Sequence, residues 1–539
     1  MRWGKGTSSF GATISDQFLR YVLPTVKKFE RFTDYATLFY LSLPVLIFLV
    51  GWLKLIIGIP LALLLCAGVI AYLSGINTRS VNWQAVAKPQ IMLTLLVAFG
   101  WVYLSGIGGY SNQDWDHHYR NAVFNDLLQF NWPIYFKFAP DYTFEFLAGH
   151  KAALNYYFAY WLPAALMGKW AGQGVANASL LAWTYLGVLL VFFHLFRLLN
   201  SKHLLLAVVL FALWSGLDVL GKLLIQRHLV GFNEPIEIYY YFSYTSFTTD
   251  LFNVFNQALP AWIVTLWVLT YRERIPVLPI ALLFPYGPFP FISLTLFYIL
   301  YFIVENYDYW RSTSTLSFIQ KSWSRIDLIS ASAAVVAIGF PFLAFYKAHF
   351  PVNINQFFGA RLVGESMSTS LTIIGFYVLT FSLEAGLFYA LIRWISPATY
   401  KAHKTVFWLS FLLLLLIPLW EAGLWRDFAS RGSIPMLTVL AFLMIRAISQ
   451  VIEQRPIQLS MVVVAVVLLL SWCTPFWLLL KAPAVGETPR LRNDVVSLGN
   501  TKASLDSDKD GVLSSLPYYY SVDPQHKFFY RLLAKKQAP

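Results

Sequence analysis

Residues 36–74 read ATLFYLSLPVLIFLVGWLKLIIGIPLALLLCAGVIAYLS, thirty-nine positions with a single charge, at Lys54. The hydrocarbon core of a bilayer takes about 20 apolar residues of helix, so this stretch predicts two spans, 36–52 and 54–74, joined by a tight turn at the lysine. The signature repeats along most of the 539 residues. Further apolar segments fall at 90–108, 152–168, 176–198, 203–221, 259–271, 276–286, 289–305, 327–346, 369–394, 406–425, 434–451 and 458–480. Composition agrees: 58% of residues are hydrophobic and 12% charged, where a soluble chain is roughly a quarter charged. A water-soluble core of this length cannot hide so many apolar side chains. The expected fold class is an all-α polytopic membrane protein.

Charge sets the sides. Residues 1–34 carry Arg2, Lys5, Arg20, Lys27, Lys28 and Arg31, and the positive-inside rule puts this segment in the cytoplasm. Arg79 with Lys88, Arg272 with Arg274, then Arg311, Lys321 and Arg325, Lys401 with Lys404, and Arg455 mark further cytoplasmic loops. That leaves 109–150, 222–258, 347–368, 426–433 and the polar tail 481–539 on the outer side. An inside start and an outside tail need an odd number of crossings, whereas fourteen segments are counted. The segment holding Tyr156, Tyr157, Tyr160 and Trp161 is expected to lie in the interface, leaving thirteen crossings within a 35–480 membrane domain. The excess of basic residues, 40 against 27 acidic, is scattered rather than gathered on one patch, which argues against a nucleic-acid partner. Cys66 and Cys473 lie inside apolar runs and read as small core residues, with no disulfide or cysteine metal site. No removable signal peptide is read at the N-terminus. In the tail, DSDKDG (Asp506, Asp508, Asp510, Gly511) starts like a calcium loop, but its twelfth position is Pro517 rather than Glu, which favours a solvated turn.

The chemistry-bearing stretch is the first large outer loop, GGYSNQDWDHHYRNAVFNDLLQFNWPIYF from Gly108. It packs Asp114, Asp116, His117, His118 and Arg120 into seven positions. Ala122, Val123, Leu127 and Leu128 then recur as the apolar stripe of a short helix lying on the membrane surface. A carboxylate at that boundary can take the proton of a hydroxyl that attacks a sugar on a lipid-anchored phosphate. Partial desolvation is expected to raise its pKa toward the working pH. A solvated loop with an N-cap accounts for the same residues. A second outer stretch, GLWRDFASRGSIPML, holds Arg426, Asp427 and Arg431, where planar guanidiniums can grip phosphate oxygens and Asp427 can orient one of them. Charges answering lipid headgroups are the plainer account. In a third, NEPIEIYYYFSYTSFTTDLFNVFNQALPAW, tyrosines lead into Asp250, Asn256 and Gln257, a sugar-holding combination of rings and amides; an interfacial aromatic girdle explains the tyrosines equally well. Asp218, Glu384 and Glu421 are carboxyl groups near or within apolar runs. Asp218 and Glu421 are expected to line one cavity, with Glu384 deeper and structural.

Taken together, GGYSNQDWDHHYRNAVFNDL, NWPIYF, YYFAYWLPAALMGK, SGLDVLG, FNQALPAW, RDFASRGSIPML and the terminal FFYRLLAKK resemble the GT-C superfamily of integral-membrane glycosyltransferases, and within it bacterial members of unassigned substrate. The resemblance implies a polyprenyl-phosphate sugar as donor and a glycan, lipid or protein acceptor. It also implies residence in the cell inner (plasma) membrane, with Asp116 as base and Asp114 as its partner or alternate. Arg431, helped by Arg426, would hold the phosphate. An amino-terminal hairpin ahead of the family's usual core accounts for the acidic loop following the third span. A divalent metal on Asp114 and Asp116 is compatible but not required, and no Gly-rich nucleotide loop is present. A transporter or flippase of a lipid-linked glycan, with Asp218 and Glu384 on its path, is the competing reading. A glycan polymerase using the 347–368 loop, with Arg361 and Glu365, is the third.

Overall fold

The computed structural model describes residues 10–79, 86–113, 116–227, 237, 242–271, 274–349, 355–423, 426–454, 459–483, 496–500 and 517–536, with side chains from Glu30 onward except at 355, 361 and 454. Among the described residues, nine helices are long and apolar enough to cross a membrane: Glu30–Trp52, Leu55–Ser74, Gln173–Leu199, Phe247–Thr270, Pro288–Ser312, Leu328–Lys347, Met367–Ile395, Asp427–Glu453 and Leu459–Lys481. Two shorter apolar helices, Lys88–Leu104 and Lys404–Leu419, accompany them. This is a membrane protein built mainly of helices.

The three other apolar segments of the sequence fold as short helices. Leu162–Ala171, Leu204–Ala212 and Val277–Leu283 hold 10, 9 and 7 residues. At 1.5 Å per residue they are roughly 10–15 Å long, about half the hydrocarbon thickness or less. Apolar content alone could not reveal this, because a buried short helix and a span draw on the same residues. The first helix runs unbroken from Phe10 to Trp52, through the segment boundary expected at residue 34. Its neighbour turns back at Lys54 as expected.

Position in the bundle follows burial. In its most apolar window the Phe247–Thr270 helix is 94% buried and the Asp427–Glu453 helix 83%, whereas Leu55–Ser74 and Leu459–Lys481 are 28% buried. The first pair is central and the second peripheral. Cys66 and Cys473 lie on these peripheral helices and are exposed, so the expectation of core cysteines is corrected: both sit on the outer surface of the bundle.

Two small sheets qualify the all-α expectation. Strands β1 (Tyr135–Lys137), β2 (Lys151–Leu154), β3 (Asn355–Phe357), β4 (Trp420–Ala422) and β5 (Tyr520–Val522) form an antiparallel β1-β2-β5 sheet and a β3-β4 pair. Strands of three or four residues are too short for a two-residue alternation to show in sequence. The register pairs Ala153 with Ser521 and Leu154 with Tyr520, joining the first large loop to the tail. The turn at Lys54 belongs to the same end, since its Nζ donates to the Leu532 carbonyl at 2.7 Å. The asparagine amide of Asn155 donates to the Phe345 carbonyl at 2.8 Å, binding a further helix end to this layer.

Candidate functional site

The acidic loop is held by a left-handed turn. Gly106 has φ +76°, and a Cβ there would come within 2.4 Å of the Asn112 carbonyl oxygen, so only glycine fits. The Gln113 amide donates to the Gly106 carbonyl at 2.9 Å and accepts from Asn121 at 2.8 Å. Ser111 donates to the Ala482 carbonyl at 2.6 Å, which fixes the loop to the end of the last span. The surface helix expected after it is present, over His117–Gln129.

Asp116 stands at the head of that helix without capping it. Its carboxylate instead accepts from Arg120 Nη2 at 3.0 Å, one turn on, with the Arg120 side chain 7% and the Asp116 side chain 34% exposed. Arg431 lies close enough to act on Asp116 electrostatically. Burial opposes ionisation of Asp116, but Arg120, Arg431 and the His117 ring outweigh it and hold its carboxyl below the usual carboxylate range. This corrects the expectation of a raised pKa: desolvation acts as supposed, and two guanidiniums brought in by folding reverse its result.

The neighbours of Asp116 each have a defined place. Ring atom Nε2 of His117 donates to the Phe252 carbonyl at 3.0 Å, and its ring stacks near Phe255. Burial pushes His117 down to about 4, so it is neutral at pH 7. His118 is buried in the same turn. Asp427 sits 3.6 Å from Arg431, the orienting contact that the spacing suggested. Gly423, at φ +88°, leaves room for that carboxylate, for a Cβ would lie 2.7 Å from Asp427 Oδ2. Arg426, in left-handed backbone at φ 58°, turns to Glu421 at 3.7 Å. It is Arg120 rather than Arg426 that flanks the acid alongside Arg431.

Three tyrosines complete the cluster. Tyr156 lies 3.8 Å from Tyr157 and 4.5 Å from Tyr519, centroid to centroid. Tyr519 feels Arg120 and Asp116, while Tyr157 feels Asp427 and Arg431, so the row of rings bridges the two charged groups. Burial pushes all three phenols up, keeping them as neutral hydrogen-bond donors. Tyr519 had no signal in sequence, because it enters from the tail through β5.

On the central helix, Asp250 lies within electrostatic reach of Arg431. Its Oδ1 accepts from Thr245 at 2.6 Å, whereas Oδ2 is buried without a partner among the described residues. Asn253 Oδ1 and both amide atoms of Asn256 are in the same condition. The helix is kinked between them, at Val254 (φ −134°, ψ 31°). Gln257 packs instead against Gly287. Asp218 accepts from Ser215 at 2.7 Å and Thr474 at 2.8 Å and hydrogen-bonds Glu384, which stands in a π-helical turn. Glu421 accepts from Gln356 at 2.9 Å across β3-β4.

Asp114, Glu234, Tyr239–Tyr241 and the 506–511 segment lie outside the described residues. Among the described residues no three His, Cys, Asp or Glu side chains gather as a metal-ligand set. The surroundings of Asp116 are cationic, the wrong sign for a second positive ion. Comparison with protein-family models, with characterised proteins and with solved structures gave no match.

Proposed function

We propose that this protein is a membrane glycosyltransferase of the GT-C type. It moves a sugar from a polyprenyl-phosphate donor to an outward-facing glycan, lipid or protein hydroxyl at the inner membrane. The N-terminus is then cytoplasmic and the tail external; thirteen crossings, an odd number, keep the two ends on opposite faces. The observation that carries the reading is the half-exposed Asp116 carboxylate, flanked by Arg120 and Arg431 beside a row of closely packed tyrosines.

The donor phosphate sits on Arg431, which Asp427 orients. The acceptor hydroxyl enters over the 109–150 loop and gives its proton to Asp116. Its oxygen attacks the anomeric carbon, and the carbon–phosphate-oxygen bond breaks with its electron pair leaving on the polyprenyl phosphate. A single displacement inverts the anomeric centre. The two arginines make free Asp116 a weak base. A phosphate that neutralises Arg431 relieves part of that effect, so the base strengthens only when donor is bound. Orphaned amide and carboxyl atoms at Asp250, Asn253 and Asn256 are what a hydroxyl-rich sugar would satisfy.

The test is purified protein incubated with a panel of polyprenyl-phosphate sugars and scored for free lipid phosphate. No release from any member, with a folded protein, sinks the reading. A flippase is the second reading, favoured by the hydrogen-bonded Asp218–Glu384 carboxyl pair inside the bundle. Vesicle translocation of a lipid-linked glycan that survives Asp116→Asn but not Asp218→Asn would select it.

A further inference from the structure

A cavity of about 360 Å³ lies at the opposite end of the bundle from Asp116, lined by Arg79, Arg197, Leu198, Asn200, Leu269, His403 and Arg446. Arg446 follows Arg431 by fifteen residues in nearly continuous helix, roughly 22 Å along the axis, and Leu269 closes the helix that Asp250 opens. The volume is within the roughly 300–1,000 Å³ of small-molecule sites. Three guanidiniums and an imidazole line it, and among the described residues no carboxylate does. Asp34 answers Arg197 from behind, and an anion entering the cavity would meet the guanidinium groups from the open side.

Folding fixes these groups. Arg197 is clasped by Asp34 at 2.5 Å, by Tyr271 and by the Glu30 carbonyl at 3.1 Å. Its Nε is nevertheless buried without a partner among the described residues. Arg446 Nη1 points to the Leu198 carbonyl at 3.3 Å, at the end of the Gln173–Leu199 helix. Arg79 is exposed at the rim. Forked guanidiniums match phosphate oxygens, and basic pockets between spans suit phosphate headgroups.

We propose that this cavity binds a phosphate group, presented either by an anionic phospholipid headgroup or as free phosphate. The proposal does not depend on the transferase reading. The experiment uses the full chain in neutral detergent, titrated calorimetrically with dihexanoyl-phosphatidylglycerol and, separately, with inorganic phosphate. Saturable binding is expected, weakened at least ten-fold in Arg446→Gln and in Arg79→Gln and unchanged in Lys137→Gln, an exposed side chain of β1 at the other end of the bundle. Binding of the lipid alone identifies a headgroup site, and equal binding of inorganic phosphate identifies a site for the anion itself. Arg79→Gln alters an exposed side chain, so its unliganded unfolding midpoint should match the parent protein. If neither probe saturates, or both bind the Arg79 and Arg446 variants as tightly as the parent, the proposal is overturned.

Discussion

Each end of this bundle holds an arginine–aspartate pair, and the pairs differ in what surrounds them. Arg197 and Asp34 are 0% and 2% exposed, with Tyr271 donating to both Asp34 oxygens at 2.8 Å. Arg120 and Asp116 are 7% and 34% exposed, with a second arginine standing by. The first carboxylate is fully used by the fold. The second is stripped of part of its water, charged, and still reachable. The same two residue types therefore make a structural clasp where three helices seal them and a reachable carboxylate where a loop leaves one side open. An ion pair's role is decided by its remaining exposure and hydrogen bonds, not by its composition.

The sharpest way to break the comparison is to neutralise each acid. Asp116→Asn should lower lipid-phosphate release by about 10²–10⁴-fold, the usual contribution of a positioned base, with donor binding and unfolding midpoint retained. Asp34→Asn should do the reverse, costing about 3–5 kcal/mol of stability by leaving Arg197 buried and unpaired; denaturant unfolding in detergent reads this. If Asp116→Asn unfolds the protein while Asp34→Asn does not, the two roles are exchanged.

A smaller effect comes from His117. Its native pKa of about 4 lies below the ordinary 6.5. Between those values the unfolded chain binds the proton and the native one does not. Stability is thus full above pH 6.5 and falls by up to about 3 kcal/mol as pH drops to 4. His117→Gln should flatten that part of an unfolding-versus-pH curve.

Asp126 works in the other sense and is the smallest test. Burial pushes it up to about 7, and it accepts from the Leu498 backbone at 2.9 Å. The native state keeps a proton that the unfolded state gives up above about pH 4, so stability falls as pH rises from 4 to 7. Asp126→Asn should gain about 1–2 kcal/mol relative to the parent at pH 8 and nothing at pH 4. A gain that is equal at both pH values would mean the native carboxyl is already ionised.

Particular residues show what the sequence made legible. The turn at Lys54, the His117–Gln129 helix and the pairing of Asp427 with Arg431 were all readable, because each depends on neighbours within one or two turns. Arg120 stood out only as part of a dense motif, and its role beside Asp116 needed the helix to place it one turn on. Tyr519 and the Asp34–Arg197–Tyr271 clasp gave no local sign. Their partners lie 363, 163 and 237 positions away, since Tyr519 packs against Tyr156, Arg197 grips Asp34, and Tyr271 bonds Asp34. A charged residue at the edge of a span reads as a loop marker whether or not it is sealed inside.

By itself, the order of residues determined that this chain lives in a membrane and which stretches are apolar helices. Hydropathy is a property of the segment, and the bilayer acts on each segment separately. Only the tertiary structure decided which apolar runs fold as short helices, which acid is clasped and which is reachable, and that Asp116 is held ionised rather than protonated. Those outcomes depend on distances between groups far apart in the chain, and on how much water each keeps once the helices pack.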